Sequence, residues 1–249
     1  MSLDLNRLSV RAFLVLLTCE VLLVLSDAAI SYARLISNRA IGRLFNITRE
    51  DSIPNWFASM QFLLIALVLW VIYLRVRELD TAKWKARGWA FLAGVFLFLS
   101  IDDGSKLHER VGTWFHASAH AGDSVAGMLM EKHPSYSWHV VLGPIFAVIG
   151  LFLLVFAWRA FRSPLPKVLF VTGLSLLGLA QGMDFLEGIE AVVEYVARAL
   201  SVSNYAVHHF SKSGEEFLEM LGQTLLLVAF LRHLGEIADG WRIEFRRPA

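Results

Sequence analysis

Long apolar runs separated by short polar links recur along this chain. Six are long enough to cross a bilayer, which takes about 20 mostly apolar residues per helix. They run from Ala12 to Ala33, Asn55 to Arg75, Trp89 to Gly104, Trp138 to Phe161, Lys167 to Glu190 and Gly214 to Leu234. The fifth is expected to continue as a surface helix toward Leu200. Backbone groups in hydrocarbon must be satisfied within the segment, so helices are the expected form. No stretch alternates with period two over some ten residues, which argues against a membrane β-barrel. The expected fold is therefore all-α: a polytopic membrane helix bundle of six transmembrane helices, forming one domain over residues 1–249. Arg7 and Arg11 before an apolar run, with Ser26-Asp27-Ala28 after it, imitate a signal peptide. Glu20 inside the run argues that this segment is retained as a span.

Composition agrees with the pattern. Hydrophobic residues make up 56% of the 249, charged residues 18%, and mean hydropathy is +0.55. Soluble domains carry about 45–50% apolar and about 25% charged residues. A net charge of +1 gives no phosphate-binding surface, so nucleic acid is excluded as a partner and the lipid bilayer is the expected one. Cys19 is the only cysteine, which rules out an internal disulfide and a cysteine-rich metal site. Under the six-helix topology 14 basic residues fall on the side of the N-terminus and 9 on the other. The bias predicts both termini in the cytoplasm, an inner (plasma) membrane location, and an outward side with the longer loops. The arm from Arg49 to Phe57 should lie along that outer interface, with Ser52 as a helix cap, Pro54 in the first turn and Trp56 as an anchor.

Ionisable groups inside spans cost about 2.5–3.5 kcal/mol each at the helix centre on insertion scales, so they mark candidate sites. Here they gather toward the outward half. The first helix carries Glu20 and Asp27, seven residues apart and on one face. On the third, continued as one helix to Arg110, Asp102, Asp103, Lys106, Glu109 and Arg110 fall within one arc and His108 points elsewhere. The fourth opens with His139. The fifth shows the stripe Gln181, Asp184, Glu187, Glu190 and Glu194, and the sixth Glu215, Glu216, Glu219 and Gln223. Glu190, Glu194 and Glu215 are read as solvated helix ends. So many acids at one level must bind a cation, pair with Lys106, Arg110 or Lys212, or hold protons.

Paired acids on facing helices with histidine nearby are the donor set of di-metal carboxylate bundles, and hard or borderline divalent ions prefer it. The candidate ligands are Asp102, Asp103, His108, Glu109, His139, Asp184, Glu187, Glu216 and Glu219, and the candidate cofactor is a divalent metal ion, with zinc, iron and copper all open. His116-x-x-x-His120 has zinc-helix spacing but lacks the metalloprotease glutamate. His133 also lies on the outward side, and His208-His209 precedes the sixth segment. There is no P-loop, no GxGxxG and no GxSxG elbow.

Three stretches carry a resemblance. Arg49 to Phe57 (REDSIPNWF), Phe98 to Asp103 with Leu107-His108-Glu109, and Glu215-Glu216-Phe217-Leu218-Glu219-Met220-Leu221-Gly222 are similar to an uncharacterised family of bacterial multi-pass membrane proteins. That family has an acidic pair plus His-Glu on helix 3 and Glu-Glu-x-x-Glu on the last helix. Asp103 stands where the pattern expects Glu. The resemblance covers about two thirds of the chain and implies a six- or seven-helix membrane fold with no known activity.

Three functions are open at this level. A metal-dependent membrane enzyme would open outward and act on a lipid or small periplasmic molecule. A proton- or cation-coupled transporter would relay charge through Glu20, Asp27, Asp184 and Glu216. An accessory subunit, or a homo-oligomer, would use its polar residues and the small residues Gly173, Gly178 and Gly182 for contacts with a partner.

Overall fold

The computed structural model of the chain describes residues 4–79, 83–119, 137–187 and 189–238. These are helical, with no strand among them. Helix α1 spans Leu5–Ser26 and runs on into a π-helical turn at Asp27–Tyr32, α2 spans Arg39–Leu44, and α3 Ile53–Glu78. Helix α4 covers Lys83–Ser105, α5 Leu107–Ala119, α6 Ser137–Ala160 and α7 Pro164–Glu187. Helix α8 covers Glu190–Leu200 and α9 Asn204–Ile237. Helices α1, α3, α4, α6, α7 and α9 are long and apolar enough to cross a membrane. Large apolar side chains stand exposed on them, among them Val15 at 61%, Val148 at 68% and Val168 at 61%. Such surface has no place in water and suits acyl chains, as a multi-pass membrane protein requires.

The helix ends follow local chemistry rather than hydropathy. Asp4 caps α1 by accepting from the backbone N of Asn6 (3.0 Å) and Arg7 (3.1 Å). The helix therefore starts a full two turns before the apolar run does. Ser52 Oγ accepts from Asn55 N at 3.4 Å with Pro54 in the first turn, the arrangement expected for α3. Ser203 caps α9 at Ala206 N, so α9 begins some ten residues earlier than its apolar run and takes in His208 and His209. The fifth segment does not continue unbroken: Ile189 is extended, and α8 is a separate helix.

The chain runs up and down, so Leu5, Glu78, Lys83, Ala160, Pro164 and Ile237 lie at one end of the bundle, here called the near end. Helix α9 is the central post, packed against α1, α3 and α7, while α3 pairs with α4. The closest approach is between α7 and α9. A Cβ on Gly173 would stand 2.8 Å from the Gly222 carbonyl oxygen, and one on Gly222 2.9 Å from that of Gly173. Two glycines face to face let the backbones touch, and van der Waals contact of this kind, not hydrophobic transfer, holds helices together in lipid. Gly178 and Gly182 meet nothing within 4 Å and make no such contact.

Toward the near end the core is apolar and aromatic. Trp89, Phe156, Phe161, Phe170 and Phe230 are buried around one another, with Trp89 and Phe156 edge to face at 4.9 Å. Toward the far end the interior turns polar. The Gly173–Gly222 contact gives a direct test. Gly173→Ala should cost about 1–3 kcal/mol through overpacking against backbone and lower the melting temperature in detergent, whereas Gly178→Ala should leave it unchanged.

Candidate functional site

The site begins with a break in the chain. Helix α4 ends at Ser105 because Lys106 takes a left-handed conformation, φ 55°, and α5 leaves in a new direction. One continuous helix to Arg110 was expected, with His108 off the acidic arc. The structure corrects that, since the kink folds His108 back onto Asp102. The His108 backbone N donates to Asp102 Oδ1 at 2.8 Å, and His108 Nδ1 lies 2.8 Å from Asp102 Oδ2. Asp102 is buried. Beside it, Ser59 Oγ of α3 donates to Asp103 Oδ2, and Ser100 Oγ donates to the Ser59 carbonyl at 2.8 Å, so the acidic pair is pinned between α3 and α4.

Helices α7 and α9 supply the other wall. Lys212 Nζ is 2.6 Å from Glu215 Oε1, 3.6 Å from Asp184 Oδ1 and 3.8 Å from Glu216 Oε1. One ammonium thus serves three carboxylates from two helices. Glu215, expected in water, is 2% exposed. The early start of α9 explains why: the helix begins at Asn204, some ten residues before its apolar run, so Glu215 lies within it rather than at its mouth. One turn deeper, Gln181 Nε2 donates to Glu219 Oε1 at 3.1 Å. One turn below Glu219 on the same face, both amide atoms of Gln223 are buried without a partner among the described residues.

The carboxylates of both walls, with His108, Gln181 and Lys212, line one far-end cavity of about 680 Å³; Ser59, Ser100 and Gln223 stand behind it. Asp102, Asp103, His108, Asp184, Glu216 and Glu219 of the expected set all face it, joined by Glu215 and by Glu50 from the arm before α3. Among the described residues, seven carboxylates line it against three permanent cations, Arg49, Lys106 and Lys212. Phe62, Leu99, Phe146 and Leu177 make the remainder apolar, so the cavity is amphipathic. Glu50 forms an ion pair with Lys106, which closes the arm over the helix break. Gln181 heads the polar stripe expected on the fifth helix; Glu50 at the rim and Ser59 behind Asp103 carried no such signal, and only the fold brings them there.

Other expected residues lie elsewhere. Glu187 does not line the cavity; its Oε1 is 3.2 Å from His208 Nδ1. Asp27 is buried in a structural knot. Its Oδ1 accepts from Ile47 N at 3.1 Å, its Oδ2 accepts from Ser213 Oγ at 3.0 Å, and Oδ2 lies 2.9 Å from His209 Nε2. Glu20 is fully buried at mid-depth, where its Oε1 accepts from Gln61 Nε2 (2.9 Å) and Thr224 Oγ1 (2.6 Å). Both acids face α9, as their spacing foretold, and both tie α1 to it. Glu190 and Glu194 are exposed, as read, with Glu194 3.3 Å from Arg198. The side chains of Glu109, His116 and His139 lie outside the described residues, as do His120 and His133.

Among the described residues, no three His, Cys, Asp or Glu side chains are arranged so that they could hold one metal ion directly. In the wall built by α7 and α9 the central cationic position is taken by Lys212.

One family pattern, a domain of unknown function designated DUF8692, matches residues 12–234. The chain belongs to that family. No curated protein and no solved structure matches it. The DUF8692 match reaches into all six apolar helices and takes in every described residue that lines this cavity, so the cavity is part of the family's domain rather than an addition to it.

Two outcomes test this geometry. Removing one partner of a buried charge pair typically costs about 3–5 kcal/mol. Asp27→Ala should therefore lower thermal stability by about that much, and Glu187→Ala by far less. In the arm, hydrogen bonds from Arg49 and Arg43 hold the Asp51 carboxyl down at about 2, below its ordinary 3.8. A lowered value means that the ordering is present above the ordinary carboxylate range and is lost as pH falls toward 2. Asp51→Asn should mimic that loss at neutral pH, seen as faster hydrogen exchange over residues 49–52.

Proposed function

We propose that the far-end cavity is the cation-binding centre of a membrane enzyme that acts on an amphipathic substrate, and that the cation is a divalent metal ion. The observation that supports this reading is the charge imbalance among the described lining residues: seven carboxylates and three permanent cations around one amphipathic cavity. Carboxylates gathered in low dielectric demand positive charge, and a divalent ion supplies it most compactly. Lys212 occupies that role in the cation-free state. Glu215 Oε2, buried without a hydrogen-bond partner among the described residues, leaves an acceptor at the cavity for an ion or its waters. The metal would enter by displacing Lys212 Nζ and drawing in Asp184, Glu216 and Glu219 from one wall and Asp103 from the other.

The dyad of His108 and Asp102 gives this centre a proton acceptor. Asp102 engages Nδ1 and fixes the ring, as a carboxylate does for a catalytic histidine. A water held by the ion and relieved of its proton by His108 would be the nucleophile, and the reaction class would be hydrolysis. The apolar lining would seat the alkyl part of the substrate. We place the centre on the outward side of a plasma membrane, with both termini cytoplasmic, from the distribution of basic residues. The relay reading is disfavoured by the core: from Leu225 to Leu231 α9 is buried and apolar.

Elemental analysis after equilibration with manganese or zinc tests the assignment. The wild-type protein should retain about one ion per chain, and Asp184→Asn and Glu216→Gln should each weaken retention roughly 10–100-fold with the fold intact. Glu194→Gln should have no effect. Lys212→Met removes the competing charge and should tighten binding. Wild-type protein that retains no ion, or variants that retain as much, would remove the metal from the account.

A further inference from the structure

The near end carries a second cavity, of about 440 Å³, unrelated to the acidic one. It opens where the end of α3, the start of α4 and the end of α6 diverge. Helix α6 meets α4 there through aromatic side chains, Phe156 against Trp89 at 4.9 Å and Phe152 against Phe91 at 5.4 Å, and the wedge beside them is left open. Its floor is apolar, with Val155, Phe152 and Phe156. Its rim carries Lys85, Arg159 and Arg162, all exposed. No carboxylate is among the described residues that line it. Two described acids nearby are engaged elsewhere: Glu78 lies 3.6 Å from Arg75, and Glu236 accepts from the backbone N of Arg162 (3.2 Å) and Ser163 (2.9 Å) at the start of α7 and lies 3.1 Å from His233 Nδ1. That bond also fixes the backbone from which Arg162 projects.

The rim lies at the ends of spanning helices, level with a membrane interface. Trp84 stands 60% exposed beside it with Lys85 Nζ 5.9 Å from its ring centroid, and Trp158 has Lys167 Nζ at 5.2 Å. Aromatic and basic residues in this combination belong at the headgroup level. An apolar wedge below and three cations above, with no acid beside them among the described lining residues, match one kind of molecule, an amphiphile with an anionic head and a hydrocarbon tail. Basic pockets between membrane helices bind anionic headgroups by the same physics.

We propose that this wedge is a binding site for one anionic phospholipid, its phosphate held by Lys85, Arg159 and Arg162 and an acyl chain laid over Val155, Phe152 and Phe156. The site is independent of the acidic cavity and of any metal there.

Native mass spectrometry of the full chain, released from detergent with equal amounts of phosphatidylglycerol and phosphatidylcholine, reads the occupancy. Phosphatidylglycerol should be retained about tenfold more, or better, as a single bound lipid. The triple variant Lys85→Gln, Arg159→Gln, Arg162→Gln changes only exposed side chains and should lose that preference. Val155→Trp fills the wedge without altering charge and should lose the bound lipid while the melting temperature holds. Inorganic phosphate at the same concentration should displace little. Equal retention of the two lipids, an unchanged preference in the triple variant, unchanged retention in Val155→Trp, or displacement by phosphate alone would each overturn the assignment.

Discussion

A carboxylate carried into a bilayer must find a donor or a cation there, because hydrocarbon offers neither. Helix α9 is built around that demand. Down its length it sets Glu215, Glu216 and Glu219 against Lys212 and Gln181, and Ser213 and Thr224 against the two acids of α1. Each of these groups fixes the position of a neighbouring helix. The Gly173–Gly222 contact then draws α7 close enough for Asp184 and Gln181 to reach across. Were α9 apolar throughout, α1 and α7 would have no register on it, since lipid packs against Leu as readily as another helix does.

The two ends of the bundle solve different problems. At the near end the interior closes with aromatic rings, and polar groups serve as caps: Glu236 at the start of α7, and Arg75 donating to the Ile237 carbonyl at 2.8 Å. At the far end the helices separate into an amphipathic cavity whose charges do not balance from its own lining. Buried acids elsewhere among the described residues are tied down by donors, as Asp27 is by Ile47 N and Ser213 and Glu20 by Gln61 and Thr224. The excess is confined to this one place, which is why a cation-binding role is assigned to it and not to Glu20 or Asp27.

Hydropathy made the six spans legible, and period-3.6 stripes made the convergence of Asp102, Asp184, Glu216 and Glu219 readable as a shared face. Three features escaped that reading for physical reasons. Caps outrank hydropathy at helix ends, so Asp4 and Ser203 extend α1 and α9 past their apolar runs, and Glu215 and His209 become interior groups. A single left-handed residue, Lys106, is not encoded by any glycine or proline signal, yet it turns His108 onto Asp102. Contributions from loops, such as Glu50 meeting Lys106, depend on tertiary closure that no periodicity records. Glu187 errs the other way: it sits on the same stripe as Asp184 but one turn nearer the helix end, where His208 captures it.

The central claim is that Lys212 holds the place of a divalent ion in the acidic cavity. A density map of the protein saturated with manganese tests it most directly. The account predicts a metal peak between the Asp184, Glu216 and Glu219 carboxylates and Asp103, with the Lys212 ammonium moved out of contact with Asp184 and Glu216. Lys212 still seated among Asp184, Glu215 and Glu216 at saturating manganese, with no peak beside it, would contradict the account.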